Sequence, residues 1–95
     1  MNLHKNSLKY LNIWKGEFAD KYRDTPRLYR ALITNEVFFS EEEDGLLVVT
    51  FYVKNDIQKQ WIEVTHFDDF VERLLTLTGV SAMDLRILAD DDLPF

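Results

Sequence analysis

Few residues in this chain have the means to do chemistry. His66 stands two and three positions before Asp68 and Asp69, Glu41, Glu42 and Glu43 run into Asp44, and the sequence closes on ADDDLPF, residues 89–95. One imidazole with two carboxylates falls short of the convergent ligand set that a metal ion takes. At a helix start, those aspartates serve more naturally as caps and as partners of the positive helix end. The glutamate run has no base or nucleophile beside it and reads as a solvated loop tip, and His4 reads as a surface residue. No cysteine is present, which removes thiolates and disulfides and makes a reducing cytoplasm the expected compartment. Three glycines, at 16, 45 and 79, cannot build a Gly-x-x-x-x-Gly-Lys-Ser/Thr phosphate cradle. The expectation is a protein that is not an enzyme and carries no metal or cofactor.

ADDDLPF offers recognition instead of catalysis. Asp90, Asp91 and Asp92 supply charge, Pro94 restricts the backbone, and Leu93 and Phe95 supply two apolar side chains. Acidic ends are often frayed and merely aid solubility, but solvation alone does not select an aromatic residue behind Leu-Pro. The six residues are therefore expected to be a peptide held by another protein.

The net charge of −6 is unevenly spread. Residues 1–30 hold seven of the eleven lysines and arginines against Glu17, Asp20 and Asp24, a balance of +4 that leaves −10 on the other 65 residues. Such a field repels phosphate over most of the surface, so direct nucleic-acid binding is expected only along the first helices, if anywhere. Lys21, Arg23, Arg27 and Arg30 are the candidates for contacting either phosphate or the acidic tail, of the same or a neighbouring molecule.

The elements that must position these groups form one domain. A 46% hydrophobic content over 95 residues is enough for one small core, and no stretch approaches the ~20 apolar residues of a membrane helix. Leu8, Leu11, Trp14, Phe18 and Tyr22 recur at spacings of three and four and predict a helix from about residue 7 to about residue 23. Gly16 on its other side marks close packing or a bend. Asp24 or Thr25 caps a second helix with Pro26 first and Leu28, Leu32 and Tyr29 inward. EVFFS and LLVVTFYV read as strands joined through the Asp44-Gly45 turn. The second strand is apolar on both faces, Leu47, Val49, Phe51 and Val53 on one and Leu46, Val48, Thr50 and Tyr52 on the other, so it is either covered twice or keeps a side for a partner. Asn55 or Asp56 caps a third helix, with Ile57, Trp61 and Val64 or Ile62 at helical spacing. A break near Thr65 and His66 leads to a fourth, with Phe67, Phe70, Val71, Leu74 and Leu77 inward and Gly79 as its stop. DLRILA is a last strand, Leu85 and Ile87 on one face.

Without its first helix, that order resembles the type II KH fold. Nucleic-acid-binding KH domains clamp the backbone with a GXXG loop between two helices, and the corresponding joint here, EVTHFDD, has no glycine. WKGEFADKYRDTPRLYRAL, then the strand pair, VKNDIQKQWIEV and FVERLLTLTGVSAMDLRIL are similar to the C-terminal region of the bacterial DNA polymerase III gamma/tau subunit, over most of residues 10–89. The resemblance implies a pseudo-KH interaction module of the replisome that contacts the polymerase subunit and performs no catalysis. The fold class expected is α+β, a small single domain of order α-α-β-β-α-α-β whose three-stranded sheet packs with helices. Residues 1–89 form the domain and residues 90–95 the tail.

DDDLPF resembles the acidic tip that ends bacterial single-stranded DNA-binding proteins, the hook that recruits replication and repair enzymes. By that resemblance Phe95, which must then be terminal, inserts its ring in an apolar pocket while its carboxylate pairs with an arginine or lysine. Leu93 adds a second contact, and the aspartates meet a basic rim. A looser likeness is to the sliding-clamp peptide Gln-x-x-Leu-x-Phe, which Leu93 and Phe95 fit and Asp90 does not. The expected function is a non-catalytic replisome adaptor, with polymerase III subunits or receptors of such tips as partners. The alternatives are a KH-like nucleic-acid-binding module using the basic first helices, and a dimerising domain that buries its apolar strand face in a symmetric contact.

Overall fold

Tyr10, Trp14, Phe18 and Tyr22 recur every four residues, and all four are buried. The computed structural model describes residues 2–89, with side chains from Ser7 onward. Helix α1, Asn2–Ile13, runs into a π-helical turn at Trp14–Phe18. An α-helix advances about 3.6 residues per turn, so a strict spacing of four drifts around its axis. The wider π turn cancels that drift and keeps the rings in line. The expected helix therefore begins earlier and ends sooner than about 7 to 23, with turns at 21–24. Leu8, read as part of the stripe, is instead 61% exposed, and Tyr10 takes its place in the core. Gly16 lies inside the widened turn with nothing within 4 Å of where a Cβ would sit, so it marks the irregularity and not close packing.

Helix α2, Pro26–Thr34, follows Thr25 as N-cap, though the threonine side chain caps nothing. It buries Leu28, Ala31 and Leu32. Strands β1, Val37–Glu41, and β2, Leu46–Val53, pair antiparallel, and β2 pairs in parallel with β3, Ala82–Ala89, giving the order β1-β2-β3. Gly45 closes the hairpin at φ 86°, a left-handed conformation that favours glycine, and the Asp44 carboxylate accepts a hydrogen bond from the Leu46 N–H at 3.2 Å. Glu41, expected in the loop tip, belongs to β1 and accepts a hydrogen bond from the Tyr10 hydroxyl.

The parallel crossover holds α3, Asp56–Thr65, and α4, Phe67–Thr78, so the element order is the expected α-α-β-β-α-α-β. Asn55 caps α3 by accepting from the Gln58 N–H at 2.9 Å, and Gly79 ends α4 at φ 73°. Leu47, Val49, Phe51 and Val53 of β2 point inward with Leu85, Ile87 and Ala89 of β3. Trp14 is the hub against them. Its ring centroid lies 4.7 Å from Phe18, 5.0 Å from Phe51 and 6.5 Å from Phe70, and its Nε1–H donates to the Leu32 carbonyl at 2.8 Å. One side chain thus joins the π turn, α2, β2 and α4.

Helix α3 forms at its expected place but turns its apolar stripe outward. Of its apolar residues only Ile62 is buried, while Ile57 is 81%, Val64 87% and Trp61 36% exposed. Helix α3 packs against β2 and β3 with Ile62 inward, and its other apolar residues lie on the outer side.

Candidate interaction site

Burying Leu28, Ala31 and Leu32 turns the arginines of α2 to solvent. The four expected cations then divide into two pairs. Lys21 donates to both Asp69 carboxylate oxygens, at 2.8 and 3.0 Å, and Arg23 pairs with Asp20 at 2.9 Å while its guanidinium lies 5.3 Å from the Tyr29 ring centre. Arg27 and Arg30 make no ion pair among the described residues. They are joined by a third cation that charge counting over residues 1–30 missed. Lys54, between β2 and α3, lines with Arg27 and Arg30 a hollow of about 190 Å³.

That hollow continues in two directions from Arg27. One extension of about 370 Å³ runs along the outer side of α3, past Lys54, Ile57, Gln58 and Trp61. The other, of about 530 Å³, runs beside Pro26, Tyr29, Arg30 and Ile33 of α2. The cations thus border the apolar stripe Ile57-Trp61-Val64, whose i, i+4, i+7 spacing keeps it on one side of α3. The stripe was legible in the sequence, but its outward direction was not.

The second open surface is the far side of the sheet. Register places Phe38 against Thr50, Val48 against Asp84 and Tyr52 against Leu88. Phe38 is 56% exposed and meets Tyr52 edge-on, with ring centres 5.7 Å apart. Arg86 and Asp84 form an ion pair at 2.9 Å at its border. No described helix covers this face: β2 alternates half-buried and buried residues along its whole length. The two-sided apolar pattern is therefore covered once.

His66 belongs to neither surface. It sits at the α3–α4 joint, stacked on Phe70 with ring centres 5.9 Å apart and 5.2 Å edge-on from Trp61. Asp68 and Asp69 lie in the first turn of α4, as macrodipole partners, but neither is the cap, which is His66 itself. Asp69 ties α4 to the turn after the π segment, accepting from the Tyr22 hydroxyl at 2.5 Å as well as from Lys21. Those hydrogen bonds, Lys21 first, hold its carboxyl below the usual range, while burial and then Asp69 push the Tyr22 phenol above its ordinary value. Burial, reinforced by Glu41, raises Tyr10 to about 12. This is structural bracing. No group of three histidine, cysteine or acidic side chains that could hold a metal occurs among the described residues.

Glu42, Glu43 and Asp44 edge only an open hollow at the hairpin tip. Asp90, Asp91, Asp92, Leu93, Pro94 and Phe95 lie outside the described residues, as does the side chain of His4. No helix among the described residues is long and apolar enough to cross a membrane.

Compared with protein-family models, curated proteins and solved structures, the chain matches none. What the fold defines is a small α+β domain with a three-stranded mixed sheet, α-α-β-β-α-α-β in order. The α3–α4 joint, Thr65-His66-Phe67, has no glycine.

Proposed function

We propose that this chain is a non-catalytic, cytoplasmic replisome adaptor related to the interaction domain of DNA polymerase III gamma/tau, binding partner proteins through its sheet and through residues 90–95. The observation that carries the reading is the uncovered sheet face, where the exposed Phe38 meets Tyr52 edge-on and Tyr52 stands in register with Leu88. Aromatic and aliphatic side chains grouped on an uncovered sheet face support a protein contact. The tail adds a second, peptide-type contact, its aspartates meeting a basic rim and Leu93 and Phe95 an apolar pocket.

Deleting Leu93–Phe95 tests the tail. The shortened chain is expected to keep its circular dichroism spectrum and thermal midpoint and to lose binding to a purified receptor of single-stranded DNA-binding protein tips. Equal binding by both chains would refute the tail assignment.

Nucleic acid is the second reading, favoured by the convergence of Arg27, Arg30 and Lys54. It requires binding to single-stranded DNA or RNA that weakens steeply with salt. Against it stand the glycine-free joint and the balance of −10 over residues 31–95.

A further inference from the structure

We infer that the groove between α2 and α3 is the docking site for the chain's own residues 90–95, which fold back within one molecule and mask the hook. This rests on the tail being a protein ligand, as proposed above.

Chain geometry makes the contact possible. β3 ends at Ala89, whose parallel register partner is Val53, the residue just before Lys54. Adjacent strands are separated by about 4.8 Å, so the chain leaves β3 one strand away from the basic end of the groove. Six extended residues span about 20 Å, close to four such spacings. Arg27 and Arg30 approach the same sheet end from the other side, because α2 leads directly into β1, whose first residue, Val37, pairs with Phe51.

The chemistry matches in kind and in order. Three aspartates come first in the tail, and three cations with no ion pair among the described residues, Arg27, Arg30 and Lys54, line the hollow beside the end of β2. Leu93 and Phe95 follow, as Ile57 and Trp61 follow along α3. Lys21 and Arg23 are paired with Asp69 and Asp20, so they are not part of the acceptor. Linkage through the fold gives even a weak contact of this kind a high effective concentration, and its charged part is screened by salt.

The test is heteronuclear NMR on the full chain at low and at high salt, with two further full-length chains, Arg27→Glu/Arg30→Glu and Asp90→Asn/Asp91→Asn/Asp92→Asn. In the parent chain the amides of residues 90–95 and the Trp61 indole N–H are expected to shift together with salt, independently of protein concentration. Either triple or double variant should abolish both shifts. Tail signals that do not respond to salt, or that respond equally in Arg27→Glu/Arg30→Glu, overturn the inference. Shifts that grow with concentration as the mass doubles also overturn it, by placing the contact between copies. Binding to the purified tip receptor separates this from the reading beneath it. Unmasking should strengthen receptor binding by Arg27→Glu/Arg30→Glu about threefold or more. Unchanged receptor affinity rejects the masking but keeps the hook, whereas salt-dependent tail shifts with no receptor binding keep the contact but reject the hook.

Discussion

Trp14 and Trp61 both stand on helical segments with apolar neighbours three or four residues away, and the fold uses them in opposite ways. Trp14 is fully buried and holds together the π turn, α2, β2 and α4, whereas Trp61 is 36% exposed and borders a groove lined by Arg27 and Lys54. The segment around Trp14 faces a sheet that needs covering. Helix α3 packs on that sheet through Ile62, and the stripe Ile57-Trp61-Val64 is left on its outer side. Periodicity therefore establishes that a helix has an apolar side, and the packing of the whole fold decides where that side points.

Substitution at the two tryptophans gives the largest expected contrast. Trp14→Ala should cost about 3–5 kcal/mol, through the cavity and an orphaned Leu32 carbonyl. That is a large share of the ~5–15 kcal/mol that stabilises a typical domain. Trp61→Ala should cost no more than about 1 kcal/mol, since it loses chiefly an edge contact with His66. Urea unfolding followed by circular dichroism measures both, and equal losses would show that α3 is as much a core element as the π segment.

A smaller effect follows from the bracing around the Trp14 region. Tyr10 and Tyr22 have raised pKa values in the fold, so their protonated forms contribute stability in full below about pH 10, the unfolded value. That contribution is lost as pH climbs from there towards the folded values, about 12 for Tyr10. Tyr10→Phe/Tyr22→Phe should flatten the alkaline fall in thermal midpoint, while Trp61→Ala should leave it unchanged. A wild-type midpoint that stays level between pH 9 and pH 11 would contradict the assignment.

Much of the architecture was legible from local chemistry. Pro26 after Thr25, the Asn55 cap, the Asp44-Gly45 turn and the Gly79 stop each mark an element boundary through backbone physics, and each boundary lies within a residue or two of its expected place. The first helix was misjudged because a π turn carries a four-residue repeat that a uniform α pattern does not. Glu41 was taken for loop because acidic runs are usually solvated, and the Tyr10 hydroxyl that holds it lies 31 positions away. The candidate site was half visible: Arg27 and Arg30 stand out by charge, but Lys54 joins them only through the fold.

The central claim, that the domain holds protein partners on its uncovered sheet, is tested most directly by titrating the full chain against a purified bacterial DNA polymerase III polymerase subunit, with Phe38→Glu as the comparison. Phe38 is exposed and outside the core, so the variant keeps the fold. The account predicts saturable binding by the parent chain that weakens about tenfold or more in Phe38→Glu and is not displaced by single-stranded DNA. Equal affinity for the two chains, or no binding by either, would contradict it.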